Sequence, residues 1–461
     1  MPDRTSSDFL AGVIEGFYGP PWSPAERRTA LDWMSAWQLN SYLYAPKDDL
    51  KHRALWRELY SPAEAEALGA LVQECRSRGI RFIYALSPGL DIRYSAPAEL
   101  PRILARFDQL RALGCDDFAL LFDDIPDRMS DEDRQQFGSF AAAQCHVTNA
   151  AFRWLRERRP QGRFLFCPTP YCGRMAERQL GGANYLETAG RELAPEIEIV
   201  WTGPEIVSRE ITLRHIQELR VRLRRRPLIW DNLHANDYDG RRFFCGPYSG
   251  RPAELRGEVS GILSNPNTEF PLNFVPLRTL GAYLQNRGAW DARAAYVTAM
   301  TEWLPQLAGL SGPAALEDLL RFGDCFYLPH EEGPLAQKLW ECARSLLSQP
   351  PAEWGTAAGE FMQAAQRLRD FCAKLVELRD RPLFYALHRR IWELREELDL
   401  LLGYIQLKQE NPAAMPRSDF HLPGTYRGGF VPRLQRLLEQ RPDGTFAVVA
   451  SLHDEAASFP P

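Results

Sequence analysis

Two regimes of apolar patterning divide this chain. Up to about residue 290, short apolar runs alternate with longer stretches in which apolar positions recur every three or four residues. The short runs are 10–19 (LAGVIEGFYG), 41–47 (SYLYAPK), 81–87 (RFIYALS), 118–124 (FALLFDD), 164–169 (FLFCPT), 198–203 (EIVWTG), 228–232 (LIWDN) and 261–265 (GILSN). Near-continuous apolar character marks parallel strands covered on both faces. The stretches between them predict helices over 24–39, 62–78, 101–113, 134–158, 185–193, 212–225 and 274–284. Ser23-Pro24 supplies an N-cap and a first helical residue for the first of these, and Ala30, Trp33 and Trp37 share its inner face. Eight strands joined mostly by helices predict an α/β fold, a (β/α)8 TIM barrel, over residues 8–290.

Beyond that point the pattern is helical throughout. Helices are predicted over 291–307, 314–322, 334–347 and 355–378. Leu383, Leu387, Ile391, Leu394, Leu398, Leu401 and Ile405 then follow at spacings of three and four, a seam suited to a bundle or a partner helix. This assigns 291–410 to an all-helical domain. Residues 411–461 read as loops, one short helix and a frayed tail.

Composition narrows the function. The net charge is −5 and no Lys/Arg block tracks a phosphate backbone, which excludes nucleic acid as the expected partner. The Arg clusters at 156–159 and 222–226 sit at helix ends, where they satisfy carbonyls. Nine cysteines occur without a C-x-x-C pair or a zinc pattern, no apolar run reaches membrane-spanning length, and 1–7 has no signal-peptide core. The expectation is a reduced, cytoplasmic protein with no membrane association. The connection 233–258 is rich in Gly, Asp and Asn, yet it fails as a calcium loop. With Gly240 at the glycine position, Ala235 comes first and Gly246 stands where a bidentate Glu is needed.

Chemistry in a barrel of this kind gathers at the carboxyl ends of its strands. Those ends carry Glu15-Gly16-Phe17-Tyr18, Lys47-Asp48-Asp49, Ser87-Pro88-Gly89, Asp123-Asp124, Tyr171, Trp201-Thr202-Gly203, Trp230-Asp231-Asn232, and Asn265 with Asn267. Carboxylates and amides among aromatic walls suit a neutral, hydroxyl-rich ligand such as a sugar. Two carboxylates point to glycoside hydrolysis, but adjacent residues do not easily flank a sugar from opposite sides as a retaining pair does. They can serve one face together, one as acid on the leaving oxygen and the other on a 2-acetamido group that itself attacks the anomeric carbon. Successive strand side chains normally point to opposite faces, which argues against this pairing. Like charges this close do not ionise independently.

The runs GVIEGFYGPPW (12–22), NSYLYAPKDDLKHR (40–53), FIYALSPGLDI (82–92), FALLFDDI (118–125), FCPTPYCG (166–173), WTGP (201–204), IWDNLHANDYD (229–239) and SNPNTEFPLNFV (264–275) resemble the protein O-GlcNAcases, family 84 of the glycoside hydrolases. CFYLPHEEGP (325–334) and RPLFYALHRRIW (381–392) extend the likeness into a region similar to the stalk domain of those enzymes. The resemblance implies retaining, substrate-assisted hydrolysis of terminal β-linked N-acetylglucosamine through an oxazoline, most directly on Ser or Thr of glycoproteins or glycopeptides. It implies that Asp123 polarises the acetamide and Asp124 is the acid and then the base. Tyr171 would bond the intermediate, and Trp230 would form the floor under the acetamide methyl. Gly16, Lys47, Asp237 and Asn265 would hold the sugar hydroxyls, with Asn232 beside the acetamide and Tyr238 at the rim. No metal or cofactor is implied. A homodimer is expected, in which the helical region, including Tyr385 or Trp392, lines the neighbour's cleft. The pattern departs at Met175, where the animal enzymes are expected to carry an aromatic residue. A broader glycan β-N-acetylglucosaminidase and a non-catalytic sugar-binding protein are the alternatives.

Overall fold

The computed structural model describes residues 9–310, 316–415 and 429–449. Eight parallel strands close into a barrel in chain order: β1 (Leu10–Glu15), β2 (Ser41–Tyr44), β3 (Arg81–Leu86), β4 (Asp117–Leu121), β5 (Phe164–Cys167), β6 (Glu198–Trp201), β7 (Leu228–Asp231) and β8 (Gly261–Ser264). Pairing of β1 with β8 in the register Leu10 to Gly261 closes the ring. The helices around it are α1 (Pro24–Ala36), α2 (Pro62–Ser77), α3 (Glu99–Ala112), α4 (Asp131–Phe137), α5 (Phe140–Arg158), α6 (Gly173–Glu177), α7 (Tyr185–Glu192), α8 (Leu213–Leu223) and α9 (Phe274–Gln285). Ser23 and Ser61 open α1 and α2 in capping boxes with Glu26 and Glu64, so local sequence fixes where both begin.

Three expectations of the pattern shift. The strands end three to four residues earlier at β1, β2 and β4 than their apolar runs do, because Phe17, Ala45 and Phe122 stay buried after the ladder ends. The helix expected over 134–158 is two helices: Gly138, at φ 73°, caps α4, and Ser139 accepts from Ala142 N to start α5. Arg225 does satisfy carbonyls, donating to Gly190, Leu193, Ala194 and Ile197 where α7 ends.

A second compact unit comprises 239–247, 271–279 and the residues from 291 onward. It is built from α10 (Ala292–Trp303), α11 (Leu316–Asp324), α12 (Pro334–Leu347), α13 (Gly355–Lys374), α14 (Arg381–Glu410) and α15 (Phe430–Gln435). The seam from Leu383 to Ile405 is buried along α14, whereas Tyr385 and Trp392 on the same helix are 62% and 60% exposed. The loop reading of the last region is corrected by a hairpin, β9 (Leu438–Gln440) against β10 (Phe446–Val448), which turns through Pro442-Asp443-Gly444. The tail 450–461 lies outside the described residues. Among the described residues no helix is long and apolar enough to cross a membrane, and no cluster of three or more His, Cys, Asp or Glu is arranged for a metal ion.

Candidate active site

Strand alternation builds the site. The barrel interior is lined by Ile14, Ala85, Leu121, Val200, Trp230 and Leu263 on six of the strands and by Ala45 one residue past β2. Adding two residues, the period of a strand, reaches Gly16, Lys47, Ser87, Asp123, Thr202, Asn232 and Asn265. The apolar core is thus capped by a layer of polar residues, the next inward-facing row on the same strands. The positions between them, such as Glu15 and Asp231, face outward and serve the fold. Glu15 is fully buried, pairs with Arg27 at 2.7 Å and accepts from Trp22 N and Tyr42. Asp231 is held by Arg251 at 2.7 Å and by the Tyr248 hydroxyl.

Lys47 turns away from Asp48 and Asp49 and forms a buried ion pair with Asp123 Oδ2. Burial works against the Asp123 charge, but the charge and hydrogen bond of Lys47, with the charge of Arg53, hold its carboxyl below the ordinary carboxylate range. Asp123 Oδ1 is buried with no partner among the described residues, as is Asn265 Oδ1. Asn265 Nδ2 donates to Asn232 Oδ1 at 3.0 Å, and Asn232 Nδ2 donates to the Ile206 carbonyl at 2.8 Å. Asn232 therefore orients Asn265.

Asp124 does not follow the alternation. Its φ is +50°, in the left-handed region. Its Oδ1 accepts from the Tyr171 hydroxyl at 2.7 Å and its Oδ2 from the Tyr18 hydroxyl at 3.1 Å. Tyr171 belongs to the interior cluster, so both carboxylates reach the same cup. Thr202 N and Oγ1 hold the Tyr171 carbonyl at 2.9 and 3.3 Å. Burial first, and then the Asp124 charge, push the Tyr171 hydroxyl far up, so it is a donor at any working pH. Trp230 lies beneath, its ring centroid 5.6 Å from Lys47 Nζ. A Cβ on Gly16 would come within 2.6 Å of the Trp230 indole, which is why the position is glycine. At the rim, Asp237 Oδ2 accepts from Tyr18 N at 2.9 Å, and burial raises its carboxyl above the ordinary range. Tyr238 is 47% exposed.

All ten residues singled out from the sequence lie at or beside the carboxyl end of the barrel, Trp230 on β7 and the other nine on the segments that follow β1, β2, β4, β5, β7 and β8. The reading gave no role to Tyr18, His52 or Arg53, which all contact this layer. Arg53 lay inside a run already quoted, but no local signal in a loop says which backbone a side chain will reach.

Comparison with known proteins now adds identity. The sequence model of the NAGidase, or beta-N-acetylglucosaminidase, family matches residues 11–322. The chain belongs to this family. It is 49% identical to the protein O-GlcNAcases of Rattus norvegicus and of Mus musculus over 278 residues. That match covers 60% of this chain and 30% of each rodent protein, so the chain spans under a third of those relatives. Among solved structures, an Asp-to-Asn mutant of the Thermobaculum terrenum O-GlcNAc hydrolase superposes with a TM-score of 0.79 at 29% identity, covering 88% of this chain and 86% of that one. At 88% of the chain that likeness is longer than the family match, and the family match itself contains the whole polar layer.

Proposed function

We propose that this chain hydrolyses terminal β-linked N-acetylglucosamine with retention, assisted by the substrate's acetamide, and that O-GlcNAc on Ser or Thr of proteins is its substrate. One observation carries the reading: the cup leaves buried polar groups open. Among the described residues Asp123 Oδ1 and Asn265 Oδ1 have no partner, and Lys47 Nζ has only Asp123, leaving two of its three donors unused. Unmade hydrogen bonds of buried groups are costly, so the occupant must bring both donors and acceptors. A 2-acetamido sugar brings an N–H for Asp123 Oδ1 and hydroxyls for Lys47, Asn265 and Asp237, with its methyl toward Trp230.

The chemistry follows from the two carboxylates. Asp123, kept ionised by Lys47, accepts the acetamide N–H and drives electron density onto the acetamide oxygen. That oxygen attacks the anomeric carbon as the glycosidic bond breaks, and Asp124 delivers a proton to the departing Ser or Thr oxygen. Tyr171 donates to the resulting oxazoline. Asp124, now ionised, takes a proton from water as the water attacks the anomeric carbon and the oxazoline C–O bond opens. Two inversions give net retention.

Release of 4-nitrophenol from its N-acetyl-β-glucosaminide tests this. Asp124→Asn should lose about 10²–10⁴-fold, with azide restoring turnover. No turnover by the wild type, with the sugar still bound, would favour a sugar-binding protein. Faster cleavage of a chitobiose-type oligosaccharide than of a GlcNAc-modified peptide would favour a glycan hydrolase. The proposal includes a homodimer that covers Tyr385 and Trp392. A monomeric mass by light scattering at micromolar concentration would rule that part out. Nine unpaired cysteines, eight of them buried, support a reducing compartment such as the cytoplasm.

A further inference from the structure

Two adjacent aspartates share one cup only because the backbone between them leaves the strand. With Ala119, Leu121 and Asp123 inward, an extended Asp124 would point out of the barrel. A left-handed φ of +50° turns it back onto Tyr18 and Tyr171. For a non-glycine residue that conformation is uphill, somewhat less so for Asp, and persists only where its surroundings impose it. The turn also takes the carbonyls of Asp123 and Asp124 out of the ladder.

Both carbonyls find the same partner. Arg53 Nη2 donates to the Asp124 carbonyl at 2.6 Å, and Arg53 Nη1 reaches the Asp123 carbonyl at 3.4 Å. Arg53 is only 7% exposed and forms no ion pair among the described residues. Its charge helps Lys47 favour the ionised Asp123, but its hydrogen bonds go to backbone carbonyls and not to a carboxylate. Its planar fork is well suited to fixing two successive carbonyls. The loop that carries it is anchored to β3 next door: His52 Nδ1 lies 2.8 Å from the Ala85 carbonyl, and Ser87 N donates to the His52 carbonyl at 2.9 Å. The Tyr18 ring, which bonds Asp124, lies 5.9 Å from the same guanidinium.

We propose that Arg53 is a positioning residue whose fork holds Asp124 in its left-handed turn and so places the acid on the same side as Asp123. This rests on the assignment of Asp124 as the acid. Its signature is dependence on the leaving group, since an acid out of place matters most where the departing oxygen needs a proton. Arg53→Met should lower kcat/KM by about 10–10²-fold on a GlcNAc-modified peptide or an alkyl glycoside. On the 2,4-dinitrophenyl glycoside, whose leaving group departs unprotonated, the change should stay within about threefold. In an Asp124→Asn background Arg53→Met should add nothing. Arg53→Lys, which keeps the charge and one donor direction, should fall between and guards against a variant that does not fold. An equal loss on every leaving group, or additivity with Asp124→Asn, would overturn the proposal and leave Arg53 a structural residue. If the wild type turned over none of these glycosides, the catalytic reading would fail by itself. The positioning claim would then be decided by a crystal structure of Arg53→Met, where Asp124 still left-handed and bonded to both tyrosines would refute it.

Discussion

Replacing Lys47 by Met tests the electrostatic core of the site. The two side chains are 2% and 7% exposed, and among the described residues no other cation bonds the Asp123 carboxylate. Breaking a buried pair by removing one partner costs about 3–5 kcal/mol. The folded protein has one outlet, which is to protonate Asp123. At 1.36 kcal/mol per pH unit, that penalty corresponds to uptake of the proton about two to four pH units higher than in the wild type. In the wild type the folded carboxyl lies below its unfolded value of about 3.9. Its contribution to stability is therefore present above that pH and lost as the pH falls through the folded value. In Lys47→Met the displacement is upward, so the contribution changes sign and the variant is destabilised progressively as the pH rises above about 4. Profiles of kcat/KM from pH 4 to 9 on the 4-nitrophenyl glycoside, with thermal melts over the same range, read both effects. The acid limb should move toward neutrality by at least about two units. A folded variant whose limb superimposes on the wild type would refute the claim that Lys47 holds Asp123 ionised.

Three further outcomes are expected. His52 is fully buried, and burial with the Lys47 charge pushes its imidazole from 6.5 down to about 4. The unfolded chain binds that proton first, so stability should fall by about 3 kcal/mol as the pH drops from about 6.5 to about 4. His52→Gln should flatten that segment in denaturant titrations, and an unchanged slope would contradict it. Arg251→Met leaves Asp231 unpaired where both side chains are 0% exposed, which should lower Tm by about 6–20 °C; a drop under about 2 °C would show the pair to be dispensable. Gly16→Ala drives a methyl against Trp230 and should raise KM about tenfold with a smaller change in kcat, whereas unchanged steady-state constants would show that the indole floor can yield.

The barrel was legible because strands buried on both faces leave an unbroken apolar trace, and because α1, α2, α4 and α5 begin at serine caps. What misled was continuity of burial. Phe17 and Phe122 stay in the core after their ladders end, so apolar runs overstate strand length. The split at Gly138-Ser139 and the turn at Pro442-Asp443-Gly444 did have signals, a C-cap glycine followed by an N-cap serine and a compact turn tripeptide. The left-handed Asp124 had none. Alternation argued against it, and the conformation is imposed by a guanidinium seventy-one positions earlier in the chain. The inward layer could have been counted out by twos from the strands, but only once the register of each strand was known. Tyr18 shows the same limit: its neighbours in sequence mark a strand end, while its hydroxyl is committed to Asp124, 106 positions away.

The second unit is not encoded as a separable cassette. Two of its pieces, 239–247 and 271–279, are spelled out inside the stretch that otherwise makes the barrel. Within that unit Cys245 N and Gly246 N bond the carbonyls of Phe326 and Tyr327, Arg241 pairs with Glu393, and Arg278 pairs with Glu302. A cut after residue 290 would strip all of these at once, leaving Arg241 and Arg278 without their counter-charges and two backbone amides bare. A gene trimmed to its eight strands would therefore yield a barrel with raw ends, and recombination that exchanges the helical region between relatives must carry these two inserts along with it.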